Sequence, residues 1–146
     1  MRSSIVKIVH KLMYLSIIMA FNYINAQKDS NELKISTNTL QGSTWQIIGP
    51  DNSTPFVIEF TGDKFIHYYD GAQVGVYDYY LSNNSEKGKK FNKKKIGKRT
   101  EGKHLIGLLE SWNKGDSITD DYIITKLNKN LLVIKNVDRD ITTKFK

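Results

Sequence analysis

Cysteine is absent from this 146-residue chain, proline occurs only twice, and histidine only three times. The lack of cysteine excludes disulfide bonds, zinc sites with thiolate ligands, thiol nucleophiles and lipid attachment through cysteine. The low proline content excludes a proline-rich stalk or linker. The chain is instead rich in aromatic residues, with eight Tyr, six Phe and two Trp, and this composition favours a β-rich interior.

Residues 1–26 have the three parts of a secretory signal peptide. Three basic and no acidic residues lie in the first eleven positions, an apolar run extends from Leu12 to Phe21, and Ala26 is a small residue suited to cleavage. The apolar run is only about half as long as the ~20 residues of a membrane-spanning helix. We therefore expect cleavage after Ala26 and export to the periplasm or the extracellular space. An exported chain without disulfides also favours a bacterial source.

The expected mature chain, residues 27–146, has the length of one domain. It carries 19 basic and 15 acidic side chains. A chain of this size buries about two-thirds of its unfolded surface, so it can fold without disulfides. The sequence predicts a polar leader over residues 27–38, followed by the folded domain over residues 39–146.

Short runs of alternating apolar and polar residues, separated by turn residues, recur at about ten-residue intervals. Asp70-Gly71 is the strongest turn signal, because a type I′ turn needs positive φ at both central positions. A single helical turn is predicted around residues 37–41, and a weak additional strand within residues 89–97. The eight principal strands are predicted over residues 40–48, 56–60, 65–69, 73–81, 104–112, 122–127, 131–135 and 141–146.

This pattern predicts an all-β fold. Strands at such spacing form either an antiparallel sandwich or an up-and-down barrel. Sequential hairpins favour the meander, and closure of the sheet removes exposed edges. We therefore expect a single antiparallel up-and-down barrel of about eight strands.

Several short motifs resemble the lipocalin-like β-barrel proteins that bacteria export, which belong to the wider calycin group. The resemblance covers about 100 residues and implies a barrel in which a cavity can hold a small ligand. The residues that carry it are Leu40, Gly42 and Trp45, the Phe60–Phe65 hairpin with Gly75 and Tyr77, and the three closing strands over residues 122–127, 131–134 and 142–145.

The leading functional hypothesis is a non-catalytic module that binds a small apolar or amphiphilic molecule. An eight-stranded barrel is wide enough either to be filled by side chains or to hold one small ligand. Tyrosine rings with polar tips could line such a pocket. The residues predicted to line a ligand pocket or to fill the barrel interior are Trp45, Phe56, Ile58, Phe60, Tyr77 and Tyr79.

Patterns that carry catalysis or bind metals are lacking. The mature chain has two histidines, His67 and His104, which are too few for a zinc site. Asp120 and Asp121 would point to opposite faces of a strand. We expect no enzyme activity, cofactor or metal; an enzyme that uses His67 with a nearby carboxylate is the least favoured hypothesis. His67 is expected as a hydrogen-bonded sheet residue and His104 as a solvated one.

Residues 86–103, called the Lys-rich segment below, hold nine basic and two acidic side chains. Such a segment either attracts acidic polymers or an envelope surface, or forms a solvated hairpin that protects a sheet edge. Phe91 is its single aromatic residue, so specific nucleic-acid binding is not expected. The residues predicted for polyanion contact are Lys93, Lys94, Lys95, Lys98 and Arg99.

Overall fold

The structure is a computed structural model that describes residues 35–48, 56–112 and 115–146. The predicted signal peptide, and the predicted leader up to residue 34, lie outside the described residues. The described part contains a one-turn helix, α1 (Thr37–Leu40), and a 3-10 turn at Lys93–Lys95. Its strands are β1 (Thr44–Gln46), β2 (Phe56–Phe60), β3 (Lys64–Tyr69), β4 (Ala72–Ser82), β5 (His104–Leu109), β6 (Asp120–Asn128), β7 (Leu131–Asn136) and β8 (Thr142–Phe145).

The eight strands form one antiparallel sheet in sequence order, from β1 to β8. Backbone hydrogen bonds then join the two outer strands. The N–H of Gln46 donates to the carbonyl of Lys146 at 2.9 Å, the N–H of Lys146 donates back at 2.8 Å, and the N–H of Ile48 donates to Lys144 at 2.8 Å. The sheet is therefore a nearly closed up-and-down barrel, and the predicted fold class is confirmed.

The turn between β3 and β4 forms where the sequence predicts it. Asp70 and Gly71 have φ values of 49° and 75°, as a type I′ turn requires. The register between β3 and β4 shifts where His67 pairs with Gly75 and Tyr68 pairs with Gln73, so one extra residue forms a bulge. Residues 37–40 form the expected helical turn.

The predicted additional strand within residues 89–97 is wrong. The structure has the 3-10 turn there, and Lys90 forms only an isolated bridge with Ser117. The side chain of Asn92 accepts a hydrogen bond from the N–H of Lys94 at 3.2 Å, which favours the turn over an extended chain.

The barrel has a closed end and an open end. At the closed end, where β2 finishes, α1 packs across the sheet: Gly42 N–H donates to the carbonyl of Phe60 at 2.8 Å. Leu40 and Ile35 are buried there in the central cluster. The indole of Trp45 is buried beside them and donates through Nε1 to Ser43 Oγ at 2.7 Å. The open end is the one where β2 begins and β3 finishes.

A second hydrophobic cluster lies on the outside of the barrel. Tyr80 and Ile106 pair across β4 and β5, and both are fully buried on the outer face. Phe91 of the Lys-rich segment and Ile118 complete the cover with Leu108. The Lys-rich segment is therefore packed onto the sheet by an apolar anchor.

Candidate ligand-binding site

A cavity of about 320 Å³ lies at the open end of the barrel. We call it the barrel cavity. The sheet register explains which side chains reach it: Phe56 pairs with Tyr69 and Ile58 pairs with His67, so alternate residues of β2 and β3 point inward together. The lining residues are Ile47, Phe56, Ile58, His67, Tyr69, Tyr122, Ile134, Thr143 and Phe145.

His67 is the most unusual residue of the lining, because it is surrounded by rings. Its imidazole centroid lies 5.1 Å from that of Phe56, 5.2 Å from that of Phe65 and 4.9 Å from that of Tyr77. Burial lowers the pKa of His67 to about 4, so the imidazole is neutral at pH 7. Within the described residues its ring nitrogens make no hydrogen bond, which differs from the hydrogen-bonded histidine expected from the sequence.

The backbone opposite His67 is shaped for this packing. Gly75 faces His67 across β3 and β4. A Cβ atom at Gly75 would lie 2.9 Å from Cε2 of Tyr77, so a larger residue would displace that ring. The tyrosine ring instead stacks on Phe65, with centroids 4.4 Å apart and planes at 7°. Gly75 thus allows the aromatic wall beside the cavity to form.

Two tyrosines supply hydroxyl groups near the barrel cavity. The hydroxyl of Tyr122 donates to Asp120 Oδ1 at 3.0 Å. Burial raises the pKa of the Asp120 carboxyl, and burial together with that carboxyl raises the pKa of Tyr122. Tyr69 has 54% of its surface exposed, and it stands at the mouth of the cavity.

The six predicted interior residues separate into two groups. Phe56 and Ile58 line the cavity. Trp45, Phe60 and Tyr79 lie in the packed central cluster, and Tyr77 packs against it. Among the lining residues missed by the sequence analysis, His67 could have been found from the alternation alone, because it shares a face with Phe65 and Tyr69.

The residues predicted for polyanion contact also fall into two groups, those that form internal ion pairs and those that do not. Lys93 Nζ lies 2.8 Å from Asp116 Oδ1, Lys95 Nζ lies 3.3 Å from Glu86 Oε1, and Arg99 pairs with Glu101 at 3.0 Å. Lys94 and Lys98 are exposed and form no ion pair within the described residues. Acidic residues of the same chain therefore neutralise part of the positive charge of the Lys-rich segment.

His104 is buried, which differs from the solvated position expected for it. Its Nδ1 lies 2.8 Å from Asp121 Oδ1, and the other oxygen of that carboxylate accepts from Ser85 Oγ at 2.6 Å and from the N–H of Glu86 at 3.1 Å. The serine contacts the aspartate and not the histidine, so this cluster lacks the nucleophile–base contact of a catalytic triad. It attaches the beginning of the Lys-rich segment to β5 and β6.

No protein-family model, curated protein or solved structure matches this chain. Over residues 35–48, 56–112 and 115–146, no group of three His, Asp or Glu side chains is placed to hold a metal ion. The same part of the chain has no helix with the length and apolar character needed to cross a membrane. The barrel cavity is therefore the feature that indicates a function.

Proposed function

We propose that this chain is an exported, non-catalytic binding protein of the lipocalin-like, calycin type, and that its barrel cavity binds a small apolar or amphiphilic molecule. The observation that carries the proposal is the cavity itself, which has a volume of about 320 Å³ and a wall made mainly of aliphatic and aromatic side chains. Small-molecule sites typically enclose about 300–1,000 Å³ and combine an apolar wall with a few polar groups.

The distribution of packing along the barrel supports this proposal. The closed end is filled, since Phe60, Phe65 and Tyr79 are buried and in mutual ring contact. The open end carries the cavity, with the exposed ring of Tyr69 at its mouth. A barrel that is packed at one end and open at the other can admit a ligand through its open end without unfolding.

The experiment is a titration of the mature chain, residues 27–146, with 1-aminonaphthalene, an uncharged fluorescent molecule at pH 7. We expect a saturable blue shift of its emission with one site per chain. Ile58→Trp should abolish the shift, because the larger side chain occupies the cavity. Ile66→Trp is the matched control. It adds the same indole on the neighbouring strand β3, on the face of the sheet that points away from the cavity. Absence of saturable binding, or equal binding by both variants, would contradict the proposal.

A second candidate function is contact with acidic polymers or an envelope surface through the Lys-rich segment. The specific observation in its favour is that Lys89, Lys90, Lys94 and Lys98 are exposed and form no ion pair within the described residues. These four charges remain available to a polyanion even though neighbouring lysines are paired internally. This function needs the outer surface of the barrel and not its cavity, so the two candidates can be tested separately.

A further inference from the structure

The residues of the cavity wall indicate the size, charge and polar groups of a suitable ligand as well as its apolar character. We propose that the cavity selects uncharged, flat molecules of about two-ring size that bear one hydroxyl or amine group for a hydrogen bond with His67, and that it rejects carboxylates. This inference rests on the proposed function, since it names the class of ligand for the same site.

The size of the cavity limits the ligand. A cavity of about 150 Å³ in a protein core holds one benzene ring. The barrel cavity, at about 320 Å³, has roughly twice that volume. A bicyclic skeleton therefore fits, whereas a long-chain or sterol-sized molecule would extend beyond the mouth. The rings of Phe56 and His67, which form part of the wall, favour a flat ligand that can stack or pack edge-on.

The charge of the cavity wall excludes an anion. None of the nine lining residues is Lys, Arg, Asp or Glu. A buried carboxylate without a cationic partner is strongly destabilised relative to water. The carboxyl of Asp120 accepts the Tyr122 hydrogen bond, so the side chain hydrogen-bonded to the lining there is acidic and supplies no cationic partner for a carboxylate ligand.

Among the polar groups of the wall, His67 is the contact point that we propose. Within the described residues, the imidazole of His67 makes no hydrogen bond, yet no fully buried side-chain N or O atom lacks a partner. The ring nitrogens of His67 must therefore reach open space, which at this position is the cavity. A neutral imidazole offers one donor and one acceptor, so a single hydroxyl or amine can pair with it. The hydroxyl of Tyr122 already donates its hydrogen bond to Asp120 Oδ1.

The test compares three ligands that share one skeleton: naphthalene, 2-naphthol and 2-naphthoate, titrated into the mature chain at pH 7. We expect 2-naphthol to bind about three- to tenfold more tightly than naphthalene, which corresponds to one net hydrogen bond. We expect 2-naphthoate to bind at least about tenfold more weakly than 2-naphthol, because its charge is unpaired in the site.

The variant His67→Phe should reduce the affinity ratio of 2-naphthol to naphthalene to about one, with naphthalene still bound. His67→Gln, which keeps a donor and an acceptor, should retain part of the ratio. Tyr68→Phe is the matched control, because it removes a hydroxyl that lies outside the cavity and donates to Glu59, and it should leave the ratio unchanged.

The outcomes separate this inference from the proposed function. If none of the three molecules binds, the proposed function fails, and the inference fails with it. If they bind but 2-naphthoate is as tight as 2-naphthol, or if the wild-type ratio of 2-naphthol to naphthalene is near one, the inference is overturned and the proposed function stands. If His67→Phe keeps the wild-type ratio, the assignment of His67 is overturned.

Discussion

At the residue scale, His67 makes stability depend on pH. Its pKa of about 4 in the folded chain lies below the ordinary value of 6.5. Between these values the unfolded chain binds a proton that the folded chain does not. The free energy of unfolding therefore falls as the pH drops from about 7 to about 4, and this loss ends below the folded pKa. At about 1.4 kcal/mol for each pH unit, the total is roughly 3 kcal/mol.

Urea unfolding of the wild type and of His67→Phe at pH 7, 6, 5 and 4 measures this effect. The variant cannot bind the proton, so its stability relative to the wild type should increase as the pH falls. Asp120 and Glu86, whose pKa values are also shifted, titrate in both proteins and cancel in the difference. A stability difference that stays constant over this range would show that burial does not hold His67 neutral.

At the element scale, the carboxylate of Glu86 and the ring of Tyr80 contribute to holding the Lys-rich segment to the outside of β4. Glu86 accepts hydrogen bonds from the hydroxyl of Tyr80 at 2.5 Å and from that of Ser82 at 2.8 Å. Lys95 lies 4.5 Å above the ring of Tyr80, a cation–π contact. Phe91 packs against that same ring, with centroids 5.0 Å apart. The segment is thus an ordered cover over an apolar strand face.

Phe91→Ala should detach this cover while the barrel remains folded. Truncation of a buried phenylalanine typically costs about 3–5 kcal/mol, and here the loss falls on a segment outside the central cluster. Hydrogen exchange should therefore accelerate over residues 83–101 and remain slow in β2 and β3. Trypsin should cleave the segment faster, since the backbone around its exposed lysines can then extend into the active site of the protease.

Phe91→Leu is the control for this prediction, because it retains most of the buried apolar area and should leave exchange close to the wild-type rate. Exchange that accelerates equally in all strands of the Phe91→Ala variant would mean that the cover and the barrel unfold as one unit. The idea of a separate outer cluster would then be wrong.

The strands could be predicted from sequence because each depends on local alternation and on its flanking turn residues. Asp70-Gly71 is an example, since the positive φ of both turn positions is favoured by these residue types themselves. The packing of Phe91 could not be predicted, because its partners Tyr80, Ile106 and Ile118 are brought together only by the folded sheet. The apolar run Leu105-Ile106 followed by Leu108-Leu109 was the available signal that β5 is covered on both faces.

The candidate site could be predicted only in part, because local alternation gives the face of a strand and tertiary packing decides the rest. Alternation places Phe56, Ile58 and Phe60 on one face of β2, but it does not distinguish the open end of the barrel from the filled end. That distinction depends on α1 and Trp45, which close the far end, and on which rings meet in the middle. Phe60 therefore packs in the core, whereas Phe56 lines the cavity.

At the scale of the whole molecule, the barrel separates two surfaces of different character. The cavity opens at one end and has no charged side chain in its lining. The Lys-rich segment covers the outer face of β4 and β5 and contains nine of the chain's 22 basic residues. A ligand in the cavity and a polyanion on the outer face would not compete for the same atoms. Substitutions can therefore test either proposed function while leaving the other site intact.

Charge substitutions on the outer surface test the second function directly. We expect the quadruple variant Lys89→Gln, Lys90→Gln, Lys94→Gln and Lys98→Gln to elute from a heparin column at clearly lower salt than the wild type. These lysines are exposed and form no ion pair within the described residues, so their removal reduces the field of the segment without breaking internal contacts. The attraction is screened over about 10 Å at 0.1 M salt, so it depends on local and not on total charge.

The matched control is Lys126→Gln, Lys129→Gln, Lys144→Gln and Lys146→Gln, which removes the same charge from four exposed positions elsewhere on the barrel. If total charge alone governed retention, both quadruple variants would elute at the same salt concentration. A concentrated basic surface predicts a larger shift for the first variant. Equal shifts, or wild-type elution of the first variant, would mean that the segment's lysines serve the solubility and packing of the cover, and the polyanion hypothesis would be rejected.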